Sequence, residues 1–286
     1  MKTFVMALLL AGFGWFGAGA QVTVDIHSDQ DEFLPGEAIP LAIKITNLSG
    51  QQLHFGGDPG WLTFSVESSD GFDVVKISEV PVPAQFDLFS SQAGTLHVDI
   101  APCFQINRIG HYKVTAYLHV KDWASAITSS AKEFDVVTGV KLWSQEFGVP
   151  AAGSPPEMRE FSLEKANYLR QQLRLYLELT DTAESHIYKV IPLGPMVSFG
   201  YPEERIDRTS QLHVLWQTGA QSFSYCVVSP EGLLLQRDLY ELINSRPHLK
   251  VDDNGAVTVE GGVKRVPAGD IPAVHPPDAV PPAPQK

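Results

Sequence analysis

Nine histidines and 33 acidic side chains are the raw material for chemistry in this chain, and their spacing decides most of what they can do. His111 and His119 fall on one face of an alternating stretch. Eight residues at about 3.3 Å each put them ~26 Å apart, too far to share an ion whose ligands lie ~2 Å from it. His97 and Asp99 share a face and would need a third ligand from a neighbouring strand. Asp252-Asp253-Asn254-Gly255 lacks the spaced oxygens and the distal Glu of a calcium loop. Asn-Gly between alternating stretches is instead a hairpin turn. Gly-x-Ser-x-Gly is missing, so there is no nucleophile elbow. Ser162-Leu163-Glu164-Lys165 matches Ser-x-x-Lys only in letters, because no Lys-Thr-Gly accompanies it. No Gly-rich phosphate cradle follows a strand and opens a helix. A carboxylate pair for glycoside hydrolysis needs ~5 to 9 Å across a cleft, which spacing in sequence does not display. The reading therefore names no catalytic residue, no metal ligand and no cofactor, and points away from an enzyme.

Aromatic side chains are the remaining candidates for binding. Trp61, in Asp58-Pro59-Gly60-Trp61, stands where a loop enters a strand, with outward parity. Trp123 follows Lys121-Asp122 at the end of another. Exposed Trp on a β domain can stack on a sugar or anchor a protein partner, so Trp61 and Trp123 are the two candidate binding residues. Trp143 and Phe147 lie beside a linker-like stretch and are expected to pack two domains together. Cys103 and Cys226, 123 residues apart, are expected as two buried thiols, with an interdomain disulfide as the alternative. Asn47-Leu48-Ser49 fits the glycosylation sequon.

The elements that must carry these residues alternate with period two. Ile39, Leu41, Ile43 and Ile45 share one face, and Ala42, Lys44 and Thr46 the other. Leu62, Phe64 and Val66 repeat the pattern, as do Leu96, Val98 and Ile100. Tyr112, Val114, Ala116, Leu118 and Val120 point inward while His111, Lys113, Thr115, Tyr117 and His119 point outward. One dry and one wet face is the mark of an antiparallel sheet packed on one side. Pro35-Gly36, Ser49-Gly50, Asp70-Gly71, Ala93-Gly94 and Gly110 punctuate the strands. A last strand near Ala131 to Val137 closes a set of about seven, the pattern of an immunoglobulin-type sandwich.

The stretch Phe33-x-Pro35-Gly36-Glu37-x-Ile39-x-Leu41-x-Ile43-x-Ile45-x-Asn47, followed by Phe55, Phe64-x-Val66 and Asp70-Gly71, resembles the Ig-like modules of bacterial exported proteins. It is also similar to the β-sandwich of BsuPI-type proteinase inhibitors. The similarity runs from about Phe33 to Val120 and implies an Ig-like fold. Gly110-His111-Tyr112 resembles the tyrosine corner of such sandwiches. The Trp that usually follows Asp-Gly in the inhibitor module is missing, and no inhibitory residue carries over.

Gly148-Val149-Pro150-Ala151-Ala152-Gly153-Ser154-Pro155-Pro156 reads as a linker. Beyond it Ser154-Pro155-Pro156-Glu157 could cap a short helix carrying Met158, Phe161 and Ala166, or the stretch could be a strand. Strands return with Leu173, Leu175, Leu177 and Leu179 alternating with Arg174, Tyr176, Glu178 and Thr180. Asp207 to Val214 can be laid over Asp253 to Val259 as a faint repeat. At about blade length it resembles one to two propeller blades, too few to close a propeller. The expected layout is all-β: a signal peptide at 1–20, an Ig-like sandwich at 21–138, a linker at 139–160, a blade-like domain at 161–266 and a disordered Pro-rich tail at 267–286.

The leader rests on Lys2, the apolar run Phe4 to Phe16 and the small-x-small site Ala18-Gly19-Ala20, which together make a secretory signal. The expected location is secreted or periplasmic, after cleavage near Ala20–Gln21. With Lys2 removed, 20 basic residues face 33 acidic ones, a net −13 with His neutral. That balance repels phosphate backbones and anionic lipids, so neither nucleic acid nor membrane is an expected partner. The leading expectation is a non-enzymatic extracytoplasmic protein that binds a protein or a polysaccharide. An inhibitor of extracytoplasmic proteases, inserting Gly56 to Gly60, and a small hydrolase with a carboxylate pair in the C-terminal domain are the alternatives.

Overall fold

A computed structural model of the chain describes residues 22–57, 60–121, 123, 125–149, 157–169 and 172–265. The expected leader and Pro-rich tail lie outside these residues, as does 150–156 of the expected linker. The described chain is essentially all β. Its first ten strands are β1 (Val22–His27), β2 (Glu32–Phe33), β3 (Pro40–Asn47), β4 (Leu53–Gly56), β5 (Leu62–Ser68), β6 (Gln85–Leu88), β7 (Gln92–Asp99), β8 (Gly110–Leu118), β9 (Ile127–Thr128) and β10 (Lys132–Val136). The remainder are β11 (Val140–Val149), β12 (Glu157–Leu169), β13 (Gln172–Asp181), β14 (Ile187–Pro195), β15 (Glu203–Ile206), β16 (Leu212–Gln217), β17 (Ser222–Val228), β18 (Leu234–Glu241), β19 (His248–Val251), β20 (Val257–Glu260) and β21 (Val263–Lys264).

Two compact units emerge. Of the described residues, unit 1 comprises those in 22–31, Ala38–Ile106 and Gly110–Asp135; unit 2 comprises Glu32–Glu37, Asn107–Ile109 and those in 136–265. The stretch expected as a linker at 139–160 instead holds β11 and the start of β12, which pair antiparallel from Val140↔Lys165 to Val149↔Glu157. Where a helix was one option, β12 is a thirteen-residue strand. Phe161 and Leu163 turn to one side and Glu160, Ser162 and Glu164 to the other. That period of two outweighs the capping signal.

In unit 1, β1, β3 and β7 form one antiparallel sheet, β10, β8 and β5 follow one another in a second, and β4 pairs with β6. The alternation read from sequence is the alternation of burial. Ile39, Leu41, Ile43 and Ile45 are buried, as are Phe64, Val66, Val114, Ala116 and Leu118. Tyr112 is buried against Phe134, with ring centroids 5.5 Å apart. Asn47 ends β3 with its amide wholly enclosed. Its Nδ2 donates to the carbonyls of Gln51 (2.7 Å) and Leu88 (3.0 Å), and its Oδ1 accepts from Ser49 N–H (3.0 Å). The sequon asparagine is therefore a structural clamp.

In unit 2, β11–β12–β13–β14 form a four-stranded sheet, and β15–β16–β17–β18–β21 a five-stranded one. The core of this unit lies between them. Phe161, Leu163, Leu175, Leu177, Leu179 and Leu193 of the first sheet meet Leu212, Val214, Trp216, Cys226 and Val228 of the second. Fully burying one such side chain contributes about 1.5–3 kcal/mol. Phe147 stacks on Phe161 at 4.1 Å, and Trp143 packs on the same cluster. Both belong to the core of unit 2, in place of the expected domain-packing role. The second face of the five-stranded sheet is covered as well, by Leu249 and Val257 of the β19–β20 hairpin against Leu215, Phe223, Tyr225 and Val227. Strands buried on two faces read as continuous apolar runs, which explains why β16 and β17 lack clean alternation.

The faint repeat has a local cause. Asp207 Oδ1 accepts from the N–H groups of Thr209 (2.8 Å) and Gln211 (2.9 Å). Asp252 Oδ1 accepts from Asn254 (2.9 Å) and Ala256 (2.8 Å). Ser229 Oγ makes the same pair of bonds to Glu231 and Leu233. Each turn is thus locked by a side-chain oxygen reaching the second and fourth residues beyond it. The matching aspartate is Asp252, one place before the Asp253 that the sequence overlay selects.

Candidate functional site: a basic cavity and an acidic sheet face

A cavity of about 320 Å³ opens in unit 1, lined by His54, Phe55, Gly56, Gly60, Trp61, His119, Val120 and Lys121. Its position follows from three local features. Phe55 pairs with Phe86 across β4 and β6, and both rings meet Trp61, with centroids 5.7 and 6.1 Å away. Gly56 stands at φ +91° where a Cβ would lie 2.0 Å from the Ala84 carbonyl oxygen, so only glycine lets the chain pass. Past the end of β8, His119 N–H donates to the Trp61 carbonyl (2.7 Å), which brings His119, Val120 and Lys121 to the rim.

Trp61 departs from its expected exposure. It is 5% exposed, and its indole N–H donates to the Pro83 carbonyl (3.0 Å). Gly60, at φ +85°, turns the chain just before β5, so strand parity does not extend back to Trp61. The residue lines the cavity and belongs to an aromatic triad with Phe55 and Phe86. Trp123 is 37% exposed. Its N–H donates to the Val120 carbonyl (3.1 Å), holding it two residues from the Lys121 rim. The two tryptophans chosen from sequence thus belong to the same end of unit 1, one buried and one exposed.

The side chains at the mouth are basic. His54 Nδ1 lies 2.9 Å from Asp87 Oδ1, and Gln85 donates to the other oxygen of Asp87 (3.0 Å). The His54 hydrogen bond is the main reason that the Asp87 carboxyl titrates below its usual range. Among the described residues, the side chains of His119 and Lys121 make no hydrogen bond or ion pair. Sequence reasoning weighed His119 only as a metal ligand with His111 and named none of the three as a binding residue, because His54 and His119 are 65 residues apart and stand on outward parity that reads as ordinary wet surface.

A second arrangement of titratable groups lies on the outer face of the four-stranded sheet of unit 2. Register places Glu160 opposite Thr180, Ser162 opposite Glu178 and Glu164 opposite Tyr176, with Lys141 opposite Glu164 on β11. Gly139 presses on Glu164, where a Cβ would fall 2.2 Å from Oε2. Lys141 Nζ is 2.7 Å from Glu184 Oε1 and 3.7 Å from Glu160 Oε1, and its pKa is raised, first by the Glu184 bond. Burial pushes the Glu164 carboxyl up. Burial and then the charge of Glu164 push Glu178 to about 7. The Thr180 hydroxyl is buried without a partner beside them. This face holds a proton near neutral pH, which is what a general acid requires.

The other candidates resolve structurally. Asp99 Oδ1 accepts from the N–H groups of Ile39 (2.9 Å) and Ala101 (3.0 Å), so it ties strands together. Ser162 and Lys165 occupy opposite faces of β12. Cys103 and Cys226 are both buried free thiols. No group of three or more metal-ligating side chains converges among the described residues, and no helix there is long and apolar enough to cross a membrane. Compared with known proteins, the chain matches no family model and no curated protein.

Proposed function

We propose that this chain is a non-enzymatic binding protein that works outside the cytoplasm, secreted or periplasmic after cleavage near Ala20–Gln21, and recognises a protein or glycan partner. In this reading unit 1 is an Ig-like sandwich that presents the cavity at one end, and unit 2 is a blade-like β domain. The observation that carries it is the cavity itself: a concave site lined by Phe55 and Trp61, with His54, His119 and Lys121 at its mouth. Gly56 and Gly60, the ends of the loop that protease inhibition would have to insert, line this cavity and support binding within it instead. Calorimetric titration of the full chain with panels of oligosaccharides and peptides tests the reading. Saturable binding reduced by Lys121→Ala supports it; a flat response to every member of the panels removes it.

A hydrolase reading draws support from Glu178, a carboxyl that titrates near neutrality beside Glu164. Turnover of a glycoside abolished by Glu178→Gln would establish it. Turnover unchanged by that substitution would remove Glu178 from the chemistry.

A further inference from the structure

The four-stranded sheet of unit 2 ends differently at its two edges. β14 carries Pro192 and Pro195, which donate no ladder bond. β11 is ten residues long and holds no proline. Among the described residues its backbone from Val140 to Phe147 bonds to nothing beyond β12; only the Gly148 carbonyl does so, accepting from Ser210 Oγ (3.2 Å). Val140, Lys141, Ser144, Gln145 and Glu146 are exposed. A row of open N–H and C=O groups is a template for another strand. The ladder to β12 sets Lys141 opposite Glu164, Ser144 opposite Ser162 and Glu146 opposite Glu160. Those three partners are two residues apart on β12. The extra residue of the bulge between Lys141 and Trp143 therefore leaves Lys141, Ser144 and Glu146 evenly stepped along one face of β11.

We infer that the strand this edge takes is β11 of a second copy of the chain, paired antiparallel about a two-fold axis through Ser144. A two-fold contact must be complementary to itself, and β11 is. With Ser144 on the axis, Lys141 falls opposite Glu146 of the second copy, Trp143 opposite Gln145 and Val140 opposite Phe147. Opposite charges meet, and an exposed valine gains an aromatic neighbour, the cross-strand pairs that stabilise antiparallel sheets. Within one chain Glu146 faces Glu160, a like-charge pair, and among the described residues it makes no hydrogen bond or ion pair. The second copy supplies the missing cation. Lys141 Nζ already holds Glu184 at 2.7 Å, and an ammonium has three hydrogens to give, so it can serve both carboxylates. A bulge and a lysine ordinarily blunt an edge. Here the bulge does the reverse, because without it Lys141 and Glu146 would not be equidistant from Ser144 on a common face.

Sedimentation equilibrium of the full chain over a concentration series tests this, with cysteine cross-linking to fix the register. The mass should climb with concentration from one chain toward two. Glu146→Lys sets a lysine opposite Lys141 and should raise the dimer dissociation constant at least tenfold. Ser144→Cys should give a covalent dimer under mild oxidation: directly opposed residues have Cα atoms about 4.5–5.5 Å apart, within reach of a disulfide, and the native thiols Cys103 and Cys226 are buried. Glu146→Cys should not cross-link, since its two copies lie about four strand residues apart, ~13 Å. Thermal melts of the variants should overlay the parent, because both positions are exposed. A single-chain mass at every concentration would overturn the inference, and slow hydrogen exchange along β11 in that single chain would assign the edge to a segment of the same chain. A dimer indifferent to Glu146→Lys, or one in which Glu146→Cys cross-links as readily as Ser144→Cys, would overturn it too, as a dimer built on another surface or register.

Discussion

The cavity of unit 1 and the outer sheet face of unit 2 are both built on antiparallel ladders, yet they treat charge in opposite ways. His54, His119 and Lys121 stand in solvent beside buried aromatic rings, so a charge at these positions costs the fold little. Glu160, Glu164 and Glu178 are drawn against a sheet with Lys141 as the nearby cation, and two of them shift toward the neutral form because an ionised carboxylate is expensive to desolvate. Exposed charge is free to serve a ligand. Partly buried charge becomes a pH-dependent element of stability.

That contrast breaks first at Trp61. If the floor is structural, Trp61→Ala should destabilise unit 1 by about 3–5 kcal/mol, the range for removing a large buried aromatic side chain; chemical denaturation measures it. A loss below about 1 kcal/mol would return Trp61 to the surface role that its parity suggests.

The next effect concerns Glu178. Its carboxyl titrates at about 7 in the fold against an ordinary 4.5. The folded state therefore holds a proton that the unfolded chain releases, and stability falls as pH rises from about 4.5 to 7. Glu178→Gln should recover ~2 kcal/mol at pH 8 and almost nothing at pH 4.5. Denaturation curves of parent and variant at the two pH values should converge only at the lower one. Lys141→Ala sharpens the same comparison: it should destabilise by about 1 kcal/mol at pH 8 and less at pH 5, where Glu178, whose carboxylate it stabilises, has taken up its proton. The smallest effect belongs to the rim. Lys121→Ala should leave the denaturation midpoint within about 0.5 kcal/mol of the parent, whatever it does to ligand binding.

The fold was legible where one face is dry and the other wet. Ile39 to Ile45 and Tyr112 to Val120 declare their strands, and burial follows their letters. Legibility fails where that premise fails. Tyr176 and Thr180 read as outward because they alternate with leucines, yet both are buried, since Leu34 and its neighbours cover that face at Tyr176. Glu160, Ser162, Glu164 and Glu178 look like any solvated run, and only strand register sets them beside Lys141. Trp61 was misplaced by a single glycine at positive φ. The three basic groups of the cavity come from two strand ends distant in sequence, a proximity that no local pattern encodes. The turn aspartates were within reach, because the spacing of Asp207 and Asp252 from their hairpins is a local feature, read one residue out of step.

Asn47 has a consequence for how the protein can be produced. Its amide nitrogen already gives both hydrogens to carbonyls inside the fold, so an attached oligosaccharide and the closed end of β3 exclude one another. In a eukaryotic secretory host the transferase and the folding reaction would race for this side chain. Molecules that gained sugar would leave the race unable to finish folding, and a heavier band would mark failed chains rather than a decorated product.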